Sequence, residues 1–136
     1  MSVAVVLHKH ILQELTIHNE TIEQKHAPFQ LKPEIRFQVY PQKEKQPIVT
    51  ELTIEIGNMD DGTPLYMKLR MRGLFMVVAK DTEETKIDAK EFHKQAFMQL
   101  FNVARAVISG ATLLGGMVPF ELPPINPDNI NIQKNN

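Results

Sequence analysis

Three sets of polar residues in this 136-residue chain have types and spacings that chemistry could use. His8 and His10 form a His-X-His pair. On a strand that spacing turns both imidazoles to one face and offers a metal two ligands. His18, His26 and His93 stand at no spacing that completes the set, so solvated histidine is the plainer reading and no metal is expected. Asp60 and Asp61 are adjacent carboxylates, but they lie within Gly57-Asn58-Met59-Asp60-Asp61-Gly62-Thr63-Pro64, where Asp is an ordinary turn residue. Lys68, Arg70 and Arg72 alternate along one strand face and could meet RNA or another polyanion. Their plainer reading is cross-strand pairing with Glu51 and Glu55, worth about 0.2–1 kcal/mol a pair. The chain has no nucleophile elbow, no Gly-rich phosphate loop and no Cys. Neither an enzyme nor a cofactor is expected.

The other candidates are apolar. Phe75, Met76, Val78, Phe97, Phe101, Met117, Phe120 and Leu122 could line a groove for extended polypeptide. Apolar burial is not directional, and Met and loop surfaces adapt to many partners. Each residue also has a plainer reading as core or subunit interface. Met117 and Phe120 are the least constrained, because they lie in a Pro-rich loop.

The elements that must position these residues are legible from periodicity. Ser2 to Asn19 is ambiguous: Val3, Val5 and Leu7 alternate, as do Leu15 and Ile17, but the middle breaks the pattern. A long strand with an irregularity is the first choice, and a short helix the second. Asn19 to Pro33 reads as a loop with Phe29 and Leu31 tucked onto the core. Strands follow with Ile35, Phe37 and Val39, then Leu52, Ile54 and Ile56, then Leu65, Met67, Leu69 and Met71 on their inner faces. The last two form an antiparallel hairpin. Gly73 marks a bulge or a close backbone approach, and after it Leu74 to Ala79 is apolar on both faces. Lys80 to Lys86 is a charged connection. Asp88 with Glu91 reads as a capping box. It opens a helix whose apolar stripe runs from Phe92 to Leu114 and is wider than one sheet needs. Gly115 and Gly116 suit its C-terminal cap.

These elements describe one α+β domain, residues 1–136, long enough to bury roughly two thirds of its unfolded surface. Net charge is −1, which gives no support to nucleic-acid binding. No apolar run approaches the ~20 residues of a membrane span, and Met1 to Val6 is no signal segment. A cytoplasmic protein is expected.

The order of motifs resembles the SecB family of protein-export chaperones. The motifs are Leu15-Thr16-Ile17, Pro33-Glu34-Ile35-Arg36-Phe37, Gly73-Leu74-Phe75, and a helix carrying Leu100-Phe101-Asn102-Val103-Ala104-Arg105. After the helix come Gly116, Pro119 and Leu122-Pro123-Pro124-Ile125-Asn126. The family shows Gly-Ile-Phe, Leu-Phe-Pro-Tyr-Ala-Arg and a Leu-Ala-Pro-Val-Asn-like segment at the matching places. The similarity is closest to the uncharacterised SecB-like proteins of Gram-positive bacteria. It implies a four-stranded antiparallel sheet packed on one side by a long C-terminal helix, and a homo-oligomer (dimer or tetramer) with its helices at the assembly interface. The implied function is ATP-independent holding of unfolded or extended polypeptides, linked in that family to protein transport. The alternative is an adaptor or structural oligomer with one dedicated partner. The family meets the export motor SecA through acidic residues. Here Glu14 keeps that charge while His18 and Lys68 do not, so SecA docking is not expected.

Overall fold

The computed structural model describes residues 3–19, 33–42, 46–57, 65–79, 88–117, 119–122, 125 and 132–134; for Val3, Ala79 and 132–134 it describes the backbone only. The expected 20–32 loop, the Asp60-Asp61 turn, the 80–86 connection and Pro123, Pro124 and Asn126 lie outside the described residues. Within them stand β1 (Val3–Asn19), β2 (Glu34–Val39), β3 (Ile48–Ile56), β4 (Leu65–Ala79), α1 (Ala89–Leu114) and β5 (Ile132–Lys134). The sheet order is β1-β4-β3-β2-β5. The first four strands are antiparallel, as expected. The short β5 is an addition the sequence pattern did not suggest, and it runs parallel to β2.

β1 is a strand throughout, with two irregularities. Its register against β4 skips between Leu7 and Lys9 and again between Leu12 and Glu14. His8 and Gln13 are the extra residues, and a bulge at each explains why the alternation fails in the middle. The bulge at His8 also breaks the geometry on which a His8–His10 metal pair depends. Among the described residues no three His, Cys, Asp or Glu side chains gather where they could hold a metal.

α1 lies on one face of the sheet. Phe37, Leu52, Met71, Phe75, Phe97, Leu100 and Ile108 are all buried between the two layers, and fully burying a side chain of this kind stabilises by about 1.5–3 kcal/mol. The aromatic rings interlock across the layers. Phe97 meets Phe37 edge-on at 5.5 Å and stacks on Phe101 at 5.2 Å, while Phe75 meets Phe92 edge-on at 6.1 Å. The core face of β4 reaches Gly73 directly under Leu100. A Cβ there would stand 3.1 Å from Leu100 Cδ1, so the glycine marks a close approach rather than a bulge.

Asp88 is the N-cap and Gly115 and Gly116 end the helix, as expected, but Glu91 turns forward to Gln95 instead of back to Asp88 as a capping box would have it. Asp88 Oδ1 accepts from Lys90 N at 3.4 Å, and Glu91 Oε1 accepts from Gln95 Nε2 one turn on. At the other end Gly116 N donates to Leu113 O (3.1 Å) and Met117 N donates to Thr112 O (2.9 Å), with Gly116 at φ +82. This is a Schellman cap, in which glycine takes the left-handed position without a Cβ penalty.

By length and composition alone α1 could cross a bilayer, which corrects the expectation that nothing in the chain comes near a span. Its nine buried residues include Phe92, Phe97, Leu100 and Ile108, which pack in the core with the sheet. Arg105 stands within the helix, where a lipid-facing cation is costly. The packing is that of a core helix.

Candidate functional site

The face of the sheet turned away from α1 divides into a charged half and an apolar half. The charged half is set by alternation along β4 and β3: Tyr66, Lys68, Arg70 and Arg72 stand beside Glu51, Thr53 and Glu55. The partners differ from the expected ones. Arg72 Nε donates to Glu51 Oε2 at 3.2 Å, but Lys68 and Arg70 reach Glu14 of β1, at 4.0 and 3.9 Å. Glu55 accepts instead from Tyr66 Oη at 2.6 Å. Each cation of the Lys68-Arg70-Arg72 row therefore has a carboxylate beside it, which leaves little free charge for a polyanion.

The Tyr66–Glu55 bond has a readable consequence. Hydrogen bonding to Glu55, then desolvation, then the charges of Glu55 and Glu14 raise the Tyr66 phenol from 10.0 to about 12. Because the folded value lies above the ordinary one, the bond's contribution is whole below pH 10 and is lost as pH rises from 10 towards 12. The difference in urea midpoint between the unaltered chain and Tyr66→Phe should shrink across that window. A difference that stays constant from pH 8 to pH 12 would sink this assignment.

The apolar half lies at the other end of β1 and β4. Val6 pairs with Met76 and Ala4 with Val78, all pointing away from the helix. Val6, Met76 and Val78 are 45%, 39% and 46% exposed. Leu74 continues the strip towards β3, where its partner is Val49. There the strip meets a shallow pocket of about 260 Å3 lined by Tyr40, Pro41, Gln46, Pro47, Val49 and Arg72. Arg72 caps the Tyr40 ring at 5.7 Å, and Tyr40 Oη donates to Gln38 Oε1 (3.2 Å) and Glu51 Oε2 (3.4 Å). The pocket is thus an aromatic and proline floor with a fixed cation at its rim.

The eight candidate residues separate into three groups. Phe75, Phe97, Phe101 and Leu122 are core, at most 3% exposed, and present no surface in the single chain. Met76 and Val78 belong to the outer apolar strip. Met117 and Phe120 are half-buried against the core beyond the helix end. Their loop is held by Thr112, whose Oγ1 accepts from Phe120 N at 2.8 Å and whose carbonyl takes the Met117 N–H. The structure does not bring the eight together into one groove. It adds Val6, Tyr40, Val49 and Leu74 to the outer strip. For Val6 and Leu74 the signal was present in the sequence, since Val3 to Leu7 is apolar on both faces, just as Leu74 to Ala79 is, and the two runs pair.

No protein-family model and no curated protein matches the chain in sequence. Solved structures do match it in fold. A SecB-like chaperone from Mycobacterium tuberculosis, in complex with a ChAD peptide from an antitoxin, aligns over 89% of this chain and 87% of its own, with a TM-score of 0.56 and 13% identity. A protein of unknown function from Streptococcus agalactiae aligns over 91% of this chain and 100% of its own, with a TM-score of 0.57 and 11% identity. Together with the four antiparallel strands and the long helix covering one face, these likenesses give the chain a SecB-like α+β fold.

Proposed function

We propose that this chain is an ATP-independent holder of unfolded or extended polypeptides. The observation that carries the reading is the outer apolar strip, in which Val6, Met76 and Val78 stand together in the open on paired strands. Exposed apolar side chains that adjoin on one face mark interaction sites more often than scattered ones do. Methionine and short aliphatic side chains suit a partner whose sequence varies. The likeness to a chaperone in complex with a peptide supports the same class of ligand. The test is suppression of aggregation of a chemically unfolded model protein at near-stoichiometric amounts without nucleotide. No suppression, and no binding to a panel of unfolded chains, ends the proposal.

Self-association belongs to the same proposal. Met98, Leu113 and Leu114 of α1 are 46%, 58% and 89% exposed, and the space beside Gly110 is open. A second copy of the helix would fill that surface, giving a dimer or a tetramer. A monomeric mass in solution at micromolar concentration overturns this part.

A dedicated adaptor is the second reading, favoured by the structural neighbour whose bound peptide comes from one antitoxin. Affinity capture distinguishes them, since a holder brings down many chains and an adaptor one. An export motor is left out of the proposal. Among the described residues, Glu14 has Lys68 and Arg70 beside it, which speaks against an acidic docking face at this position.

A further inference from the structure

The sheet has two edges, and they are closed by different means. At β1 the closure comes from side chains of the core helix. Val5 N donates to Gln95 Oε1 (3.3 Å), Leu7 N donates to Gln99 Oε1 (3.1 Å), and Gln99 Nε2 donates to Val5 O (2.7 Å). Both glutamines sit on α1 between buried residues and cannot leave without the helix. Farther along β1 the two bulges interrupt the ladder, and bulges are a common way of keeping an edge from accepting a strand.

At β2 the closure is a strand. β5 pairs in parallel through Phe37–Ile132, Gln38–Gln133 and Val39–Lys134. Among the described residues it is the shortest ladder in the sheet, and parallel pairing is slightly weaker per residue than antiparallel. An element held by so few backbone bonds opens at low free-energy cost. The β2 edge is therefore regular enough to take a strand, and its present strand is the part of the sheet most easily released.

We propose that the β2 edge is a strand-addition site for an extended segment of a bound polypeptide, and that β5 is the internal occupant the polypeptide displaces. This rests on the holding function proposed above and names where the backbone of the held chain goes. Main-chain hydrogen bonds at a sheet edge bind any extended segment regardless of its side chains, which is what a binder of unfolded chains requires. An added strand that runs past Val39 comes alongside Tyr40, at the pocket of Tyr40, Pro41, Pro47 and Val49. Its outward side chains then have an apolar floor to rest on. If β5 fills the edge nine-tenths of the time, it weakens a competing strand about tenfold.

The chain has no cysteine, so a single engineered bridge can be read without interference. Gln38→Cys with Gln133→Cys joins register partners and locks β5 in place when oxidised. The probe is fluorescently labelled α-lactalbumin, reduced and carboxymethylated so that it stays unfolded and carries no thiol. Expected is affinity at least tenfold weaker in the oxidised protein than in the same protein reduced. A second variant, Ile132→Pro with Gln133→Pro, removes the N–H of either parity from β5 and should bind the probe several-fold more tightly than the unaltered chain. Equal affinity of the oxidised and reduced forms, or no gain in the proline variant, overturns the proposal while leaving the holding function standing. Failure of the unaltered chain and of the proline variant to bind the probe removes the holding function and this site with it.

Discussion

Gly73→Ala should lower the stability of the chain by about 1–3 kcal/mol, the range for overpacking a well-filled core. The added Cβ would stand 2.8 Å from Phe75 Cε2, 3.1 Å from Leu100 Cδ1 and 3.1 Å from Thr50 Oγ1. These atoms come from β4 itself, from the helix and from β3, and all three residues are completely buried. The Phe75 ring is held edge-on against Phe92, and Thr50 Oγ1 donates to Gly73 O at 3.1 Å. Relief requires the Phe75 ring to turn and the helix to give way at Leu100. The measurement is the urea midpoint, with an unchanged slope showing that the unfolding transition stays the same. A loss under 0.5 kcal/mol, the ~0.5 kcal/mol scatter of ordinary surface substitutions, would mean that the helix does not depend on this approach.

Val6→Lys with Met76→Glu should abolish most client holding and leave the fold intact. The two positions are direct cross-strand partners on the exposed face, so the pair exchanges an apolar contact for opposite charges that favour the same register. Stability should stay within about 0.5 kcal/mol of the unaltered chain. Affinity for an unfolded chain should fall about ten- to a hundredfold, because two half-exposed apolar side chains no longer offer burial of about 0.7–1.4 kcal/mol each. Loss of holding with a normal melting curve places the ligand on the outer strip. Normal holding would exclude the outer strip as the binding surface.

Most of the fold was legible because its inner faces follow simple periods. Leu52, Ile54 and Ile56, and Leu65, Met67, Leu69 and Met71, repeat every second residue and all point to the core. The stripe from Phe92 to Ile108 repeats at helical spacing and covers them. Gly73 announced a close approach, though not which side chain would approach. β5 was not legible: three residues with no apolar alternation carry no pattern, and their strand state comes from the β2 edge beside them. The candidate site was half legible. Apolar type alone cannot separate Phe75, turned to the helix, from Met76, turned to the open face. Only strand parity does that, and parity on β4 became certain once its partner strand was known. Glu14 was matched only to one acidic position of the family's docking face, and its place beside Lys68 and Arg70 needed the β1–β4 register, which two bulges conceal.

Those bulges have a consequence for how the chain can change in length. Each extra residue shifts the phase of β1 by one, so His8 inverts the inside–outside order and Gln13 restores it. Between them Ile11 faces outward where a regular strand would turn it in; beyond them Leu15 and Ile17 face the core again, in step with Val5 and Leu7. β1 has 17 residues against 15 in β4, and the surplus is these two. The strand behaves like a text with two compensating insertions. Because neither residue has a partner in β4, loss of either one would straighten the strand there and leave every other pair in place, whereas loss of a paired residue such as Ile11 would shift everything on one side of it.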